Sequence, residues 1–158
     1  MLIVGVDPGL SGAIAFLHNG ELINCEDLPT VEVAHGDKTR KEISPALLHD
    51  RLIHTDIKIS HAVVEHVWSS PGMGVTSSFR FGQSFGCIMA VLACAGIKTH
   101  LVRPAEWKRA FGLNKDKAVS REMAIRLWPD QAHYFARARD DGRAEASLLA
   151  EFSRRQCK

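Results

Sequence analysis

At 158 residues, 46% hydrophobic and 24% charged, the chain has an ordinary globular composition and is long enough for one domain with a real core. No apolar run approaches a membrane span, and Cys25, Cys87, Cys94 and Cys157 are scattered without a CxxC pair, which argues against a zinc site or a disulfide frame. The net charge of +2 hides an asymmetry: residues 1–95 carry 6 basic and 10 acidic side chains, whereas residues 96–158 carry 14 basic and 8 acidic ones. That division fits either a polyanion held over a cation-binding acidic cluster or an ordinary mixed-charge surface. The N-terminus has no basic segment followed by a cleavage site, so a reducing, cytoplasmic setting is expected.

MLIVGVDPGLSGAIAFL, at 1–17, reads as a buried strand ending in Asp7, a Pro8-Gly9 turn, and a second strand from Ala13 to Leu17. Asn19-Gly20 signals a two-residue hairpin, and Glu21 to Leu28 a third strand. Residues 29–43, with Pro29, Gly36 and the charges Asp37, Lys38, Arg40 and Lys41, read as a mobile loop. Ser44-Pro45 starts a helix through His54. Ala62-Val63-Val64-Glu65 is a short buried strand, again ending in an acid, and the glycine-rich HVWSSPGMGV follows it. A long helix is expected over Thr76–Ala95, closed by Gly96, with Gly82, Gly86, Ala90 and Ala93 near one face. Those small residues admit another backbone, either the domain's own sheet or a second subunit. Lys98 to Val102 is a fifth strand, Glu106 to Phe111 a short helix, and Asp116 caps a helix from Lys117 to Trp128. After an arginine-bearing connection, Asp140-Asp141 caps a last helix through Phe152. The order predicts an α/β fold with a five-stranded mixed sheet, three antiparallel strands then two parallel ones, flanked by helices in a single domain over 1–158.

Four acids stand out by position. Asp7 and Glu65 end strands, and Asp141 and Glu145 open the last helix four residues apart, on one face. Each has a plainer role available: a turn residue at Asp7, an exposed strand end at Glu65, an N-cap at Asp140 or Asp141, a first-turn acid at Glu145. Gathered together, these carboxylates would repel one another unless a cation neutralised them. Hard divalent ions prefer such oxygen ligands, and a pair of ions can activate water and stabilise the leaving oxygen in phosphodiester hydrolysis.

The sequence resembles the RuvC-type Holliday-junction resolvases, nucleases with an RNase H-like fold. VGVDPGLSGAIA at 4–15, VVEHVW at 63–68, FGQSFGCIMAVLACAGI at 81–97 and RAEASLLA at 143–150 carry the resemblance, which covers most of the chain. It implies a catalytic, metal-binding set of Asp7, Glu65, Asp141 and Glu145 with two Mg²⁺ ions, or Mn²⁺. The chain departs from the family at its last pair, where the spacing is four and the second acid is Glu; Asp140 is the alternative partner to Asp141. The resemblance also gives Trp68 to unpaired bases at a branch point and Lys108 and Lys117 to the active-site surroundings. Arg109, Lys115 and Arg121 join them as phosphate contacts. It implies a bacterial or phage-encoded enzyme acting as a homodimer on four-way junctions, and the small-residue face of the 76–95 helix is the candidate interface. A branched-DNA or flap endonuclease of the same superfamily is the nearest alternative. An actin-like nucleotide-binding protein also opens with an Asp-x-Gly turn, but needs a second similar domain for which 158 residues leave no room.

Overall fold

The computed structural model describes residues 1–69, 72–114 and 116–157. Lys115, expected to contact DNA, and Ser70 and Pro71 of the glycine loop lie outside the described residues. Three strands open the chain: β1 (Leu2–Asp7), β2 (Ala13–His18) and β3 (Glu21–Asp27). Asn19 and Gly20, both at positive φ, form the two-residue turn between β2 and β3. The hairpin β4 (Thr30–His35) and β5 (Lys38–Ile43) follows, then α1 (Pro45–Ile53), β6 (Ile59–Glu65) and α2 (Val75–Cys94). The chain ends with β7 (Thr99–Val102), α3 (Pro104–Ala110), α4 (Lys117–Leu127) and α5 (Asp141–Gln156). Short 3-10 turns at Pro129–Phe135 and Ala138–Asp140 connect α4 to α5.

The main sheet has five strands in the order β3-β2-β1-β6-β7. β1, β2 and β3 pair antiparallel, while β6 and β7 continue the sheet in parallel from β1. This is the mixed sheet expected from the sequence, with β1 at its centre. Central strands covered on both faces read as continuous apolar runs rather than alternating ones. Leu2, Val4 and Val6 point to the face packed by Leu48 and Leu52 of α1 and Ile88 and Leu92 of α2. Ile3 points to the other face, where Ala146, Leu149 and Ala150 of α5 lie. α5 is buried on nearly all sides, which explains its Ala- and Ser-rich sequence.

The stretch 29–43 is not the loop expected from its charges. It forms the separate two-stranded sheet β4-β5, turning at Gly36 (φ 62°) and Asp37. Of the two strands only Ile43 is buried, so a ribbon wetted on both faces carries charges at five of its twelve positions. Its strand signal lies in Val31, Val33 and Thr39, diluted by the Lys and Arg that keep such edges soluble.

Candidate metal centre

The parallel register aligns Val6 of β1 with Val64 of β6, so Asp7 and Glu65 emerge side by side at neighbouring strand ends. Both residues share the sheet face on which α5 packs. α5 brings Glu145 to them, and one carboxylate oxygen from each of Asp7, Glu65 and Glu145 lies within 4.8 Å of the other two. Two glycines permit this approach. A Cβ on Gly142, in the first turn of α5, would stand 2.9 Å from the Ser11 carbonyl and 3.1 Å from Asp7 Oδ2. A Cβ on Gly5 would stand 2.0 Å from the Ala146 carbonyl.

Glu65, Glu145, Asp141 and Asp140 each have a particular partner. The indole Nε1–H of Trp107 donates to Glu65 Oε1 at 2.9 Å. Lys108 Nζ donates to Glu145 Oε1 at 2.9 Å, and the Ser120 hydroxyl approaches the same oxygen at 3.5 Å. Asp141 stands outside the three-acid cluster with its Oδ2 bound by Lys117 Nζ. Asp140 is turned elsewhere: its carboxylate accepts from the Arg137 backbone N–H at 2.8 Å and from Arg137 Nη2 at 2.7 Å. Asp141, not Asp140, is therefore the acid that faces the centre.

The electrostatics follow from this crowding. Burial, then the charges of Glu145 and Glu65, push the Asp7 carboxyl well above its usual pKa, with Lys117 opposing. Burial also raises Glu65, against the indole hydrogen bond that favours its ionised form. The hydrogen bond to Asp141 raises Lys117. Four carboxylates face two ammonium groups, and the deficit equals the charge of one divalent cation. The donor set is all hard oxygen. Two oxygens on one Mg²⁺ at about 2.1 Å stand at most about 4.2 Å apart, so the observed spacing needs only a small contraction. The residues fit a hard divalent cation, held by Asp7, Glu65 and Glu145 with Asp141 adjacent.

The expected DNA contacts divide into two groups. Lys108 and Lys117 are engaged with carboxylates. Trp68 is 59% exposed and stands edge-on to His66, ring centroids 5.4 Å apart. Trp68 borders an apolar hollow of about 490 Å³ that also takes in Met73, Phe79 and Phe85. With Arg103, Glu106 and the exposed Arg109, it also borders a second hollow of about 510 Å³. Arg121, on α4, is half-buried, and its Nε has no hydrogen-bond partner among the described residues. Trp107, Ser120 and Gly142 are contacts of the centre that sequence reasoning did not single out. The signal for Trp107 was available, because a buried tryptophan needs a partner for its N–H.

No protein-family model matches the chain, and no curated protein matches it in sequence. The fold is similar to that of RuvC from Thermus thermophilus in two solved structures. One, of RuvC in complex with Holliday junction substrate, is 14% identical, with 99% of this chain and 97% of that chain covered at a TM-score of 0.60. The other, of RuvC without a stated ligand, is 12% identical, with 99% and 96% covered at a TM-score of 0.58. The likeness establishes an RNase H-like fold of the RuvC kind.

Proposed function

We propose that this protein is a divalent-metal-dependent endonuclease that resolves four-way DNA junctions, working as a single RNase H-like domain in a reducing cytoplasm. The convergence of Asp7, Glu65 and Glu145 within 4.8 Å, on a fold shared with RuvC, carries this reading. Asp141 completes the acidic set beside Asp7. Mg²⁺ or Mn²⁺ is the expected cofactor, as a pair of ions. Bound there, the ions supply an activated water for attack on the phosphodiester and stabilise the leaving oxygen. The chain's own residues set up the encounter. Asp7 and Glu65, on rigid strand ends, hold position while α5 presents Glu145 and Asp141. Lys108 and Lys117 balance the acids in the metal-free protein and turn to DNA phosphates once the carboxylates are otherwise neutralised. Arg109 and Arg121 extend that basic surface. The test is incubation of the purified protein with Mg²⁺ and a synthetic four-way junction, with flap and linear duplex DNA as controls. Paired symmetric nicks in the junction are expected. Faster cutting of flaps would shift the assignment to a flap endonuclease, and no cutting of any substrate would reject a nuclease.

Trp68 is the candidate for stacking on unpaired bases at the branch point. Trp68→Ala is expected to weaken junction binding by about 1–3 kcal/mol for each base stacked. Duplex affinity and melting temperature stay unchanged, because the side chain is 59% exposed. Gel-shift titrations of both DNAs check this, and equal loss on duplex would count against it.

A symmetric junction suits a two-fold dimer. The outer face of α2 is the interface we assign. Val75 and Phe79 are 88% and 74% exposed, and added Cβ atoms at Gly82 and Gly86 would meet nothing within 4 Å. Arg80 is the only charged residue of this helix. Light scattering is expected to give twice the chain mass for the wild type and the chain mass for a folded Phe79→Glu variant. A monomeric wild type would reject the interface.

A further inference from the structure

α3 is short, but it touches two of the three clustered acids through consecutive residues. It starts at Pro104, and Glu106 closes back on Arg103, accepting from the Arg103 backbone at 3.3 Å and from its guanidinium at 2.8 Å. Fixed in this way, the helix places Trp107 at 0% exposure in the core beside α5. The indole donates to Glu65 Oε1 at 2.9 Å. The Lys108 ammonium lies 5.0 Å from the same ring's centroid and reaches Glu145 Oε1. The two contacts differ in kind. The lysine is a cation and competes with any metal for Glu145. The indole is a neutral, donor-only group that can remain on Glu65 when a cation arrives.

We propose that Trp107 is a positioning residue for the metal centre, its indole N–H holding Glu65 by Oε1 so that Oε2 is left for a divalent cation. The proposal rests on the reading of Asp7, Glu65 and Glu145 as metal ligands. Glu65 makes no other hydrogen bond among the described residues, so without the indole its three side-chain torsions lack a polar restraint. A free glutamate would have to be ordered as the ion binds, and that loss of rotamer freedom would weaken affinity. With the indole in place, the ordering is completed on folding. Hydrogen-bond partners of metal ligands commonly change metal affinity by about 10–100-fold.

The test measures Mn²⁺ binding to the full chain by calorimetry, without DNA, so that no turnover enters the readout. Trp107→Phe keeps most of the ring and removes the donor. It is expected to bind Mn²⁺ at least about tenfold more weakly than the wild type while keeping its circular dichroism. Should that variant fail to fold, benzothienylalanine placed at position 107 replaces the N–H by sulfur and keeps the ring outline, and the same loss is expected. A purely structural tryptophan would leave affinity unchanged in the isostere. Wild-type affinity in the folded isostere, with the wild type itself binding Mn²⁺, would overturn the positioning role and leave the metal centre standing. No Mn²⁺ binding by the wild type would overturn the metal centre itself.

Discussion

Asp7→Asn is expected to lower metal-dependent junction cleavage by about a thousandfold or more, about 4 kcal/mol of barrier, and at the same time to raise the melting temperature of the metal-free protein. The two effects have one cause. Asp7 lies where burial and the charges of Glu145 and Glu65 oppose its ionisation, so its folded-state pKa stands well above the ordinary carboxylate value. A carboxyl with a raised folded-state pKa contributes stability below the unfolded-state value, near 4, and loses it as pH rises through the folded-state value. At neutral pH the wild type therefore carries a penalty that asparagine lacks, and each kcal/mol relieved is worth about 2–4 °C. Below pH 4, with Asp7 protonated in both states, the two melting curves should converge. Mg²⁺ should reverse the order by stabilising only the protein that binds it. Melting curves across pH, with and without Mg²⁺, check the stability arm, and junction cleavage checks the other. Wild-type cleavage by the variant, or a lower melting temperature without metal, would contradict the role given to Asp7.

The strands and the acids that end them were legible because two signals coincide there. β1 and β6 are covered on both faces, so they stand out as apolar runs, and an acid closing such a run is conspicuous. The four-residue spacing of Asp141 and Glu145 predicts one shared helix face, yet spacing cannot say that Lys117 holds one and Lys108 the other. Basic residues near an acidic cluster suggest phosphate contacts as readily as internal ion pairs, and only the distances separate the two. The β4-β5 hairpin was missed for the opposite reason. With few side chains to bury, it lacks the hydrophobic pattern that marks a strand, and its charges imitate a loop. Asp140 and Asp141 are identical in type and adjacent. Arg137, three residues before Asp140, holds the Asp140 carboxylate, whereas Lys117 holds that of Asp141.

Gly5→Ala is expected to be a severely damaging small substitution, costing about 3 kcal/mol or more. In sequence Gly5 is an anomaly, a glycine in the middle of the central strand, where it weakens β structure unless another backbone approaches. α5 is that backbone. A Cβ at Gly5 would lie 2.0 Å from the Ala146 carbonyl oxygen and 2.9 Å from the Ala150 amide nitrogen, both main-chain atoms that no rotamer change can move aside. Relief requires α5 to shift as a body. Its opposite side is occupied, with Leu148 buried in the same cluster as Ala124 of α4 and Trp107 of α3. The melting temperature should fall by about 6 °C or more at that cost. Glu145 precedes Ala146 in the chain, so any backing away of α5 also withdraws Glu145 from Asp7 and Glu65. Mn²⁺ affinity in the surviving folded fraction should then drop along with stability. Thermal melts paired with calorimetric Mn²⁺ titration measure both. A variant that melts within a degree of the wild type and binds Mn²⁺ equally well would mean that α5 tolerates displacement, and that the spacing of the three carboxylates does not depend on its close seating against β1.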